Sequence, residues 1–261
     1  MDRKEFLKGI GLMGLAATGA TIFACSADTD ILDTAEETTT GSTSGSSSSS
    51  GSSSSTDTTS TSSECAVTNS ETAGPFPTNN PEDLERVDIT GDRTGIDLAI
   101  NIVVRDVNNS CAVLEDAIVD IWHCDAAGNY SEYGGSGMQS TNYQSYHFLR
   151  GRQISDADGV VKFQSIFPGW YNGRSTHIHV HIYNATGTSL LVTQIAFPEG
   201  DDSAVVEVNA ASDYGYTKGM SGYTYNANDN VFGDGVANEL ATISGSVSEG
   251  YTLDHIINVR A

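Results

Sequence analysis

Basic residues are scarce in this chain, with 12 Lys+Arg against 34 Asp+Glu and a formal net charge of −22 over 261 residues. No basic stripe exists to release counterions from a polyanion, which excludes nucleic acid as a partner. Charge of this sign favours solubility and attracts cations, and says nothing about fold. Helical periodicity is missing as well: beyond the first two dozen residues no segment repeats its apolar positions at helical spacing over a useful length. Cysteines number four, at Cys25, Cys65, Cys111 and Cys124. If Cys25 carries lipid, one pair among the other three can bridge in an oxidising compartment, and spacing does not say which. The apolar run over residues 9–24 is too short and too rich in glycine to span a membrane comfortably.

What is present divides the chain in three. Residues 1–24 read as an export signal, opened by Arg3, Lys4 and Lys8 and closing on Ile22-Phe23-Ala24-Cys25. That ending resembles a bacterial lipobox and predicts lipid on Cys25, with the protein anchored at the cell envelope; ordinary cleavage and secretion is the alternative. Residues 25–63 are acidic and then almost purely Ser, Thr and Gly, unable to offset chain entropy by burial, and are predicted to be a disordered linker. Residues 64–261 hold the folded part. Strands are expected over 98–107, 117–124, 146–155, 160–166, 176–183, 190–197, 239–246 and 251–259. Asp156-Ala-Asp-Gly159 reads as a hairpin turn, with Asp156 and Asp158 serving the turn. Short strands parted by Gly/Asp turns predict an all-β, antiparallel β-sandwich with long loops.

Candidate chemistry concentrates in FPGWYNGRSTHIHVH, residues 167–181. Alternation with period two places His177, His179 and His181 on one face of a strand, where neighbouring imidazoles can converge on one metal ion. Tyr171 and Arg174 lie just upstream in a Gly-containing loop. A polar strand face with three solvated histidines satisfies the same alternation, as does a zinc or copper site on the three.

Three blocks read together resemble the intradiol ring-cleavage dioxygenases: Val119-Asp-Ile-Trp-His-Cys-Asp-Ala-Ala-Gly-Asn-Tyr130, Pro168-Gly-Trp-Tyr171 and Arg174-Ser-Thr-His-Ile-His179. Gln194 falls where that family keeps an active-site glutamine, and Thr72-Ala-Gly-Pro-Phe76 is similar to its entry segment with Phe76 in place of a tyrosine. The resemblance implies a β-sandwich enzyme holding Fe(III) through Tyr130, Tyr171, His177 and His179. It implies a catechol-type substrate and O₂ as partners, with ring opening between the two hydroxyls to a muconate-type diacid. Tyr171 would leave the metal and act as a base. Arg174 would stabilise developing negative charge, and Gln194 would orient the site. A bound ferric ion is what makes phenols with pKa about 10 suitable ligands, because such a cation takes their protons.

The segment Asn172 to Thr176 between Tyr171 and His177 is shorter than in cytosolic members, and no helical N-terminal region is expected. Both features resemble the secreted, protocatechuate 3,4-dioxygenase-like members. Tyr133 is a rival to Tyr130 in the same loop, and His123 and His147 have no assigned role. A non-catalytic surface sandwich module is the reading that competes with an enzyme.

Overall fold

The computed structural model describes residues 65–261. The expected export signal, Cys25 and the Ser/Thr/Gly tract all lie outside the described residues. Two sheets face each other. One has the order β2-β1-β9-β8 with β5 also pairing β1, the other β4-β3-β6-β7. The strands are β1 (Asp97–Asp106), β2 (Ala112–Val113), β3 (Ile118–Trp122), β4 (Arg150–Ile154), β5 (Val160–Ile166), β6 (His177–Tyr183), β7 (Ser189–Ala196), β8 (Thr242–Ser246) and β9 (Gly250–Val259).

The core follows from alternation. Leu98, Ile100, Ile102 and Val104 of β1 point inward, against Val119, Ile121, Ile178, Val180 and Ile182 of the other sheet. Each buried side chain of this size contributes about 1.5–3 kcal/mol relative to exposure. On β6 the opposite parity, His177 and His179, faces outward from the sandwich yet is also buried, because loops cover that end of the sheet.

Three expectations need correction. The sandwich is not wholly antiparallel: β1 and β9 run parallel from Leu98↔Tyr251 to Asp106↔Val259. The two strands lie far apart in the chain, so no tight turn dictates their relative direction. The Asp156–Gly159 turn does form, with the Asp156 carboxylate accepting from the N–H groups of Asp158 and Val160. It joins no hairpin, however, because β4 pairs with β3 and β5 crosses to pair with β1 in the other sheet. A turn motif sets a reversal of direction; inward-facing Val161 and Phe163 decide the partner sheet. A helix also exists, α1 (Ala204–Ala210), capped by the Ser203 side chain on the N–H of Val206. Seven residues rich in valine are too few for a helical period to register, and burial of Val205 and Val208 holds the turn in place. Among the described residues no helix is long and apolar enough to cross a membrane.

Cys65 and Cys111 form a disulfide, and Cys124 is a buried free thiol whose pKa burial pushes up to about 12. His255 shares the inward parity of β9 and sits opposite Ile102. Its Nε2 is buried without a partner, while the carbonyl of Leu240 engages the ring elsewhere. Burial holds its pKa down to about 4. The unfolded chain takes up this proton first, near pH 6.5, so stability falls as pH drops from about 6.5 towards 4. We expect urea titrations of wild type and His255→Gln to diverge by about 3 kcal/mol between pH 7 and pH 4, the variant losing less.

Candidate metal centre

The outer face of β6 carries the site. His177 Nδ1 lies 2.6 Å from the carbonyl oxygen of Ser175. Only a ring N–H can satisfy that contact, so Nδ1 holds the proton and Nε2 presents its lone pair to the cleft. Around that Nε2 stand Tyr130 Oη at 3.2 Å, Tyr171 Oη at 3.4 Å and His179 Nε2 at 3.2 Å. Ligand atoms about 2.0–2.1 Å from a common metal are separated by roughly 3.0–3.6 Å, which is the spacing found. The loop ending at Tyr130 and the loop around Tyr171 thus meet over the strand that bears both imidazoles.

Burial sets the charge states. The imidazoles are driven neutral: burial, then nearby Arg174, takes His177 down to about 3, and burial, then His177, puts His179 well below its ordinary value. Burial raises both phenols, Tyr130 furthest with Tyr171 beside it. Buried neutral donors crowded together are costly unless a cation collects their lone pairs. His179 Nδ1 is a buried polar atom with no partner. Two imidazoles and two phenols fit a hard, highly charged ion such as ferric iron, which reverses the rise in the phenol pKa values.

The donors are supported unequally. Tyr130 is fully buried, stacked on Phe76 at 4.8 Å, and its backbone is gripped by Gln139 through both N–H and C=O. His179 is stacked on Trp122, with ring centroids 4.9 Å apart and planes 3° from parallel. Tyr171 is only partly buried. It lines a cavity of about 500 Å³ with Thr72, Pro75, Met138, Asn172, Arg174, Asn230 and Val231. A larger concavity of about 1040 Å³ lies over Asn101, Arg105 and Ile256 on the outer face of the other sheet and includes none of these residues.

Arg174 reaches the centre with Nη1 at 3.4 Å from His177 Nε2. Its Nε donates to Asp229, 2.8 Å from Oδ2, and its Nη2 donates to Gln194 Oε1 at 2.6 Å. Gln194 in turn donates to the Thr72 carbonyl at 2.8 Å. Burial alone would raise the Asp229 pKa; donation from the backbone N–H groups of Ser175 and Val231 and from Arg174 outweighs it and holds the carboxyl below its usual range.

A family model described as "Dioxygenase" matches residues 73–229. The chain belongs to the intradiol ring-cleavage dioxygenase family. It is 31% identical over 161 residues to chlorocatechol 1,2-dioxygenase of Rhodococcus opacus, an alignment covering 51% of this chain and 57% of that protein. The chain thus spans little more than half the length of this curated relative. An intradiol ring-cleavage dioxygenase from Tetranychus urticae superposes with a TM-score of 0.65 at 27% identity, covering 75% of this chain and 95% of that one. The dioxygenase domain of a carbohydrate-binding fusion protein from Streptomyces sp. SirexAA-E gives 0.52 at 22% identity over 75% and 99%, a likeness of fold.

The six residues that the family resemblance assigns to the site, Tyr130, Tyr171, His177, His179, Arg174 and Gln194, lie together. His181 does not join them: its ring nitrogens engage Ser189 Oγ and Tyr183 Oη. Tyr133 turns away to donate to the Pro77 carbonyl. His123 is a buried structural residue between the Cys124 carbonyl and Ser165 Oγ, and His147 contacts Glu132. Sequence reasoning missed Asp229, in a polar loop without any motif. It also missed Arg150, wholly buried, which donates to Ser131 and to the Phe76 carbonyl behind Tyr130.

Gly74 packs directly on the His179 ring: at φ +68, a Cβ there would stand 2.9 Å from His179 Cε1. Gly173 has φ +86 but nothing within 4 Å of its Cβ position. Both substitutions to alanine carry the strain of a left-handed backbone, about 1–2 kcal/mol. Only Gly74→Ala should also displace His179, and elemental analysis should show metal occupancy falling in Gly74→Ala and holding in Gly173→Ala.

Proposed function

We propose that this protein is an Fe(III)-dependent dioxygenase that opens the ring of a catechol-type substrate between its two hydroxyls with O₂, yielding a muconate-type diacid. One observation carries the reading: Tyr130, Tyr171 and His179 each bring a donor atom within 3.2–3.4 Å of His177 Nε2. Those four residues would hold the iron. Bound there, ferric iron supplies Lewis acidity toward the phenols and the substrate hydroxyls, and redox chemistry toward O₂.

The residues of this chain divide the remaining work. Tyr130 is stacked, buried and pinned by Gln139, so it stays in place. Tyr171 sits at the cavity wall beside the exposed Asn172-Gly173 turn, with the least to hold it. With iron bound, Tyr171 would be the phenolate free to give way to substrate, and its oxygen would then take the proton of a substrate hydroxyl. Arg174 is fixed at three nitrogens and directs positive charge at the place where the ring gains electron density, so no reorganisation is needed as charge develops. Gln194 is bonded at both ends and holds Arg174 against the Thr72 segment. Among the described residues Arg174 is the only charged one lining the cavity and is already engaged, which favours a ring carrying neutral substituents.

Oxygen uptake by iron-loaded protein with catechol tests the reading, alongside the visible tyrosinate-to-iron band. Tyr171→Phe should weaken the band and slow uptake by about 100-fold or more, whereas Tyr133→Phe should leave both unchanged. Equal uptake in wild type and Tyr171→Phe would refute the assignment.

A further inference from the structure

The segment that precedes the site and the loop that follows it meet a second time, away from the tyrosines and histidines. Glu71, Asp234 and Glu239 each bring one carboxylate oxygen within 4.8 Å of the others. Oxygens on opposite sides of a calcium-sized cation are roughly 4.6–5.2 Å apart at the usual bond lengths of about 2.3–2.6 Å, so one cation reaches all three. Clustered acids on a surface are common without any ion, and Asp234 taken alone is such a residue. Glu239 is not. It is 0% exposed; its Oε1 accepts a long bond of 3.4 Å from the Thr193 hydroxyl, and its Oε2 is buried with no partner at all. A buried carboxylate oxygen without a donor calls for either a proton or a cation. Burial, then the charges of Glu71 and Asp234, push the Glu239 pKa up to about 8.

No basic residue supplies the missing charge. Among the described residues, none of the three acids forms an ion pair, and the nearby Arg174 is committed to Asp229. Asn69 arranges the rim instead, donating from Nδ2 to Asp234 Oδ2 at 3.0 Å and from its N–H to Asn238 Oδ1 at 3.3 Å.

We propose that Glu71, Asp234 and Glu239 form a binding site for a hard divalent cation of the calcium class, separate from the tyrosine–histidine centre. An all-oxygen donor set selects calcium or magnesium over softer transition metals, and the exposed side at Asp234 leaves room for water ligands. The cation ties the segment around Glu71 to the loop carrying Asp234 and Glu239. Each of these stretches supports the other centre: Thr72 receives Gln194, Gly74 backs His179, and Asp229 holds Arg174. Binding therefore stiffens the frame around Arg174 and Gln194 without touching a reacting atom.

The test is calorimetric titration of the iron-loaded protein, freed of divalent cations, with Ca²⁺, together with thermal melts. One Ca²⁺ should bind per chain, and a hundredfold excess over Kd should raise Tm by about 5–10 °C. Glu239→Gln should weaken binding at least tenfold yet melt no lower than cation-free wild type, because it replaces a buried carboxyl that lacks a partner with a neutral amide of the same shape. Asp234→Asn, on the exposed rim, should weaken binding without a folding defect. Absence of binding heat with an unchanged melt, or undiminished binding in both variants, would overturn the assignment.

Discussion

The carboxylate of Asp229 governs how the rest of the centre can be arranged. Buried at 1% exposure, it collects four donors: Arg174 Nε, the N–H and hydroxyl of Ser175, and the N–H of Val231. Fixing Ser175 aims its carbonyl at His177 Nδ1, which settles the tautomer and turns Nε2 toward the two phenols. Fixing Arg174 lets the same guanidinium reach Gln194 and the centre together. An isolated buried guanidinium or carboxylate would be strongly destabilising, so the pair and its backbone donors form a unit whose parts depend on one another.

Around this unit the fold separates rigidity from access. Strand alternation gives β6 an apolar face for the sandwich core and an opposite face for two imidazoles, so the histidines are positioned by the same packing that stabilises the domain. Loops then add the two phenols, unequally enclosed. Tyr130 is enclosed by Phe76, Gln139 and the buried Arg150, whereas Tyr171 borders the cavity. On the proposed function, that inequality would separate a ligand that stays from one that can leave.

Legibility from the sequence followed the range of the interactions concerned. His177 and His179 could be read because a period of two is local, and both strand ends there fall within one residue of expectation. Tyr130, Tyr171, Arg174 and Gln194 came from motif resemblance; no spacing rule would have joined them. Asp229 could not be read at all, since its role depends on a contact with Arg174 across 55 residues, and an Asp in a polar loop is ordinary. The parallel β1–β9 pair and the crossover after Asp156 escaped for the same reason: turn residues report a change of direction, while partner choice is decided by which buried faces meet. Helix α1 was hidden by its length.

Elemental analysis of the native full-length protein, taken with its visible spectrum, bears most directly on the claim that two phenolates and two imidazoles share one ferric ion. The account predicts about one iron per chain at this centre and a broad tyrosinate-to-iron absorption. Zinc or copper in its place, or a colourless protein with full metal occupancy, would contradict it.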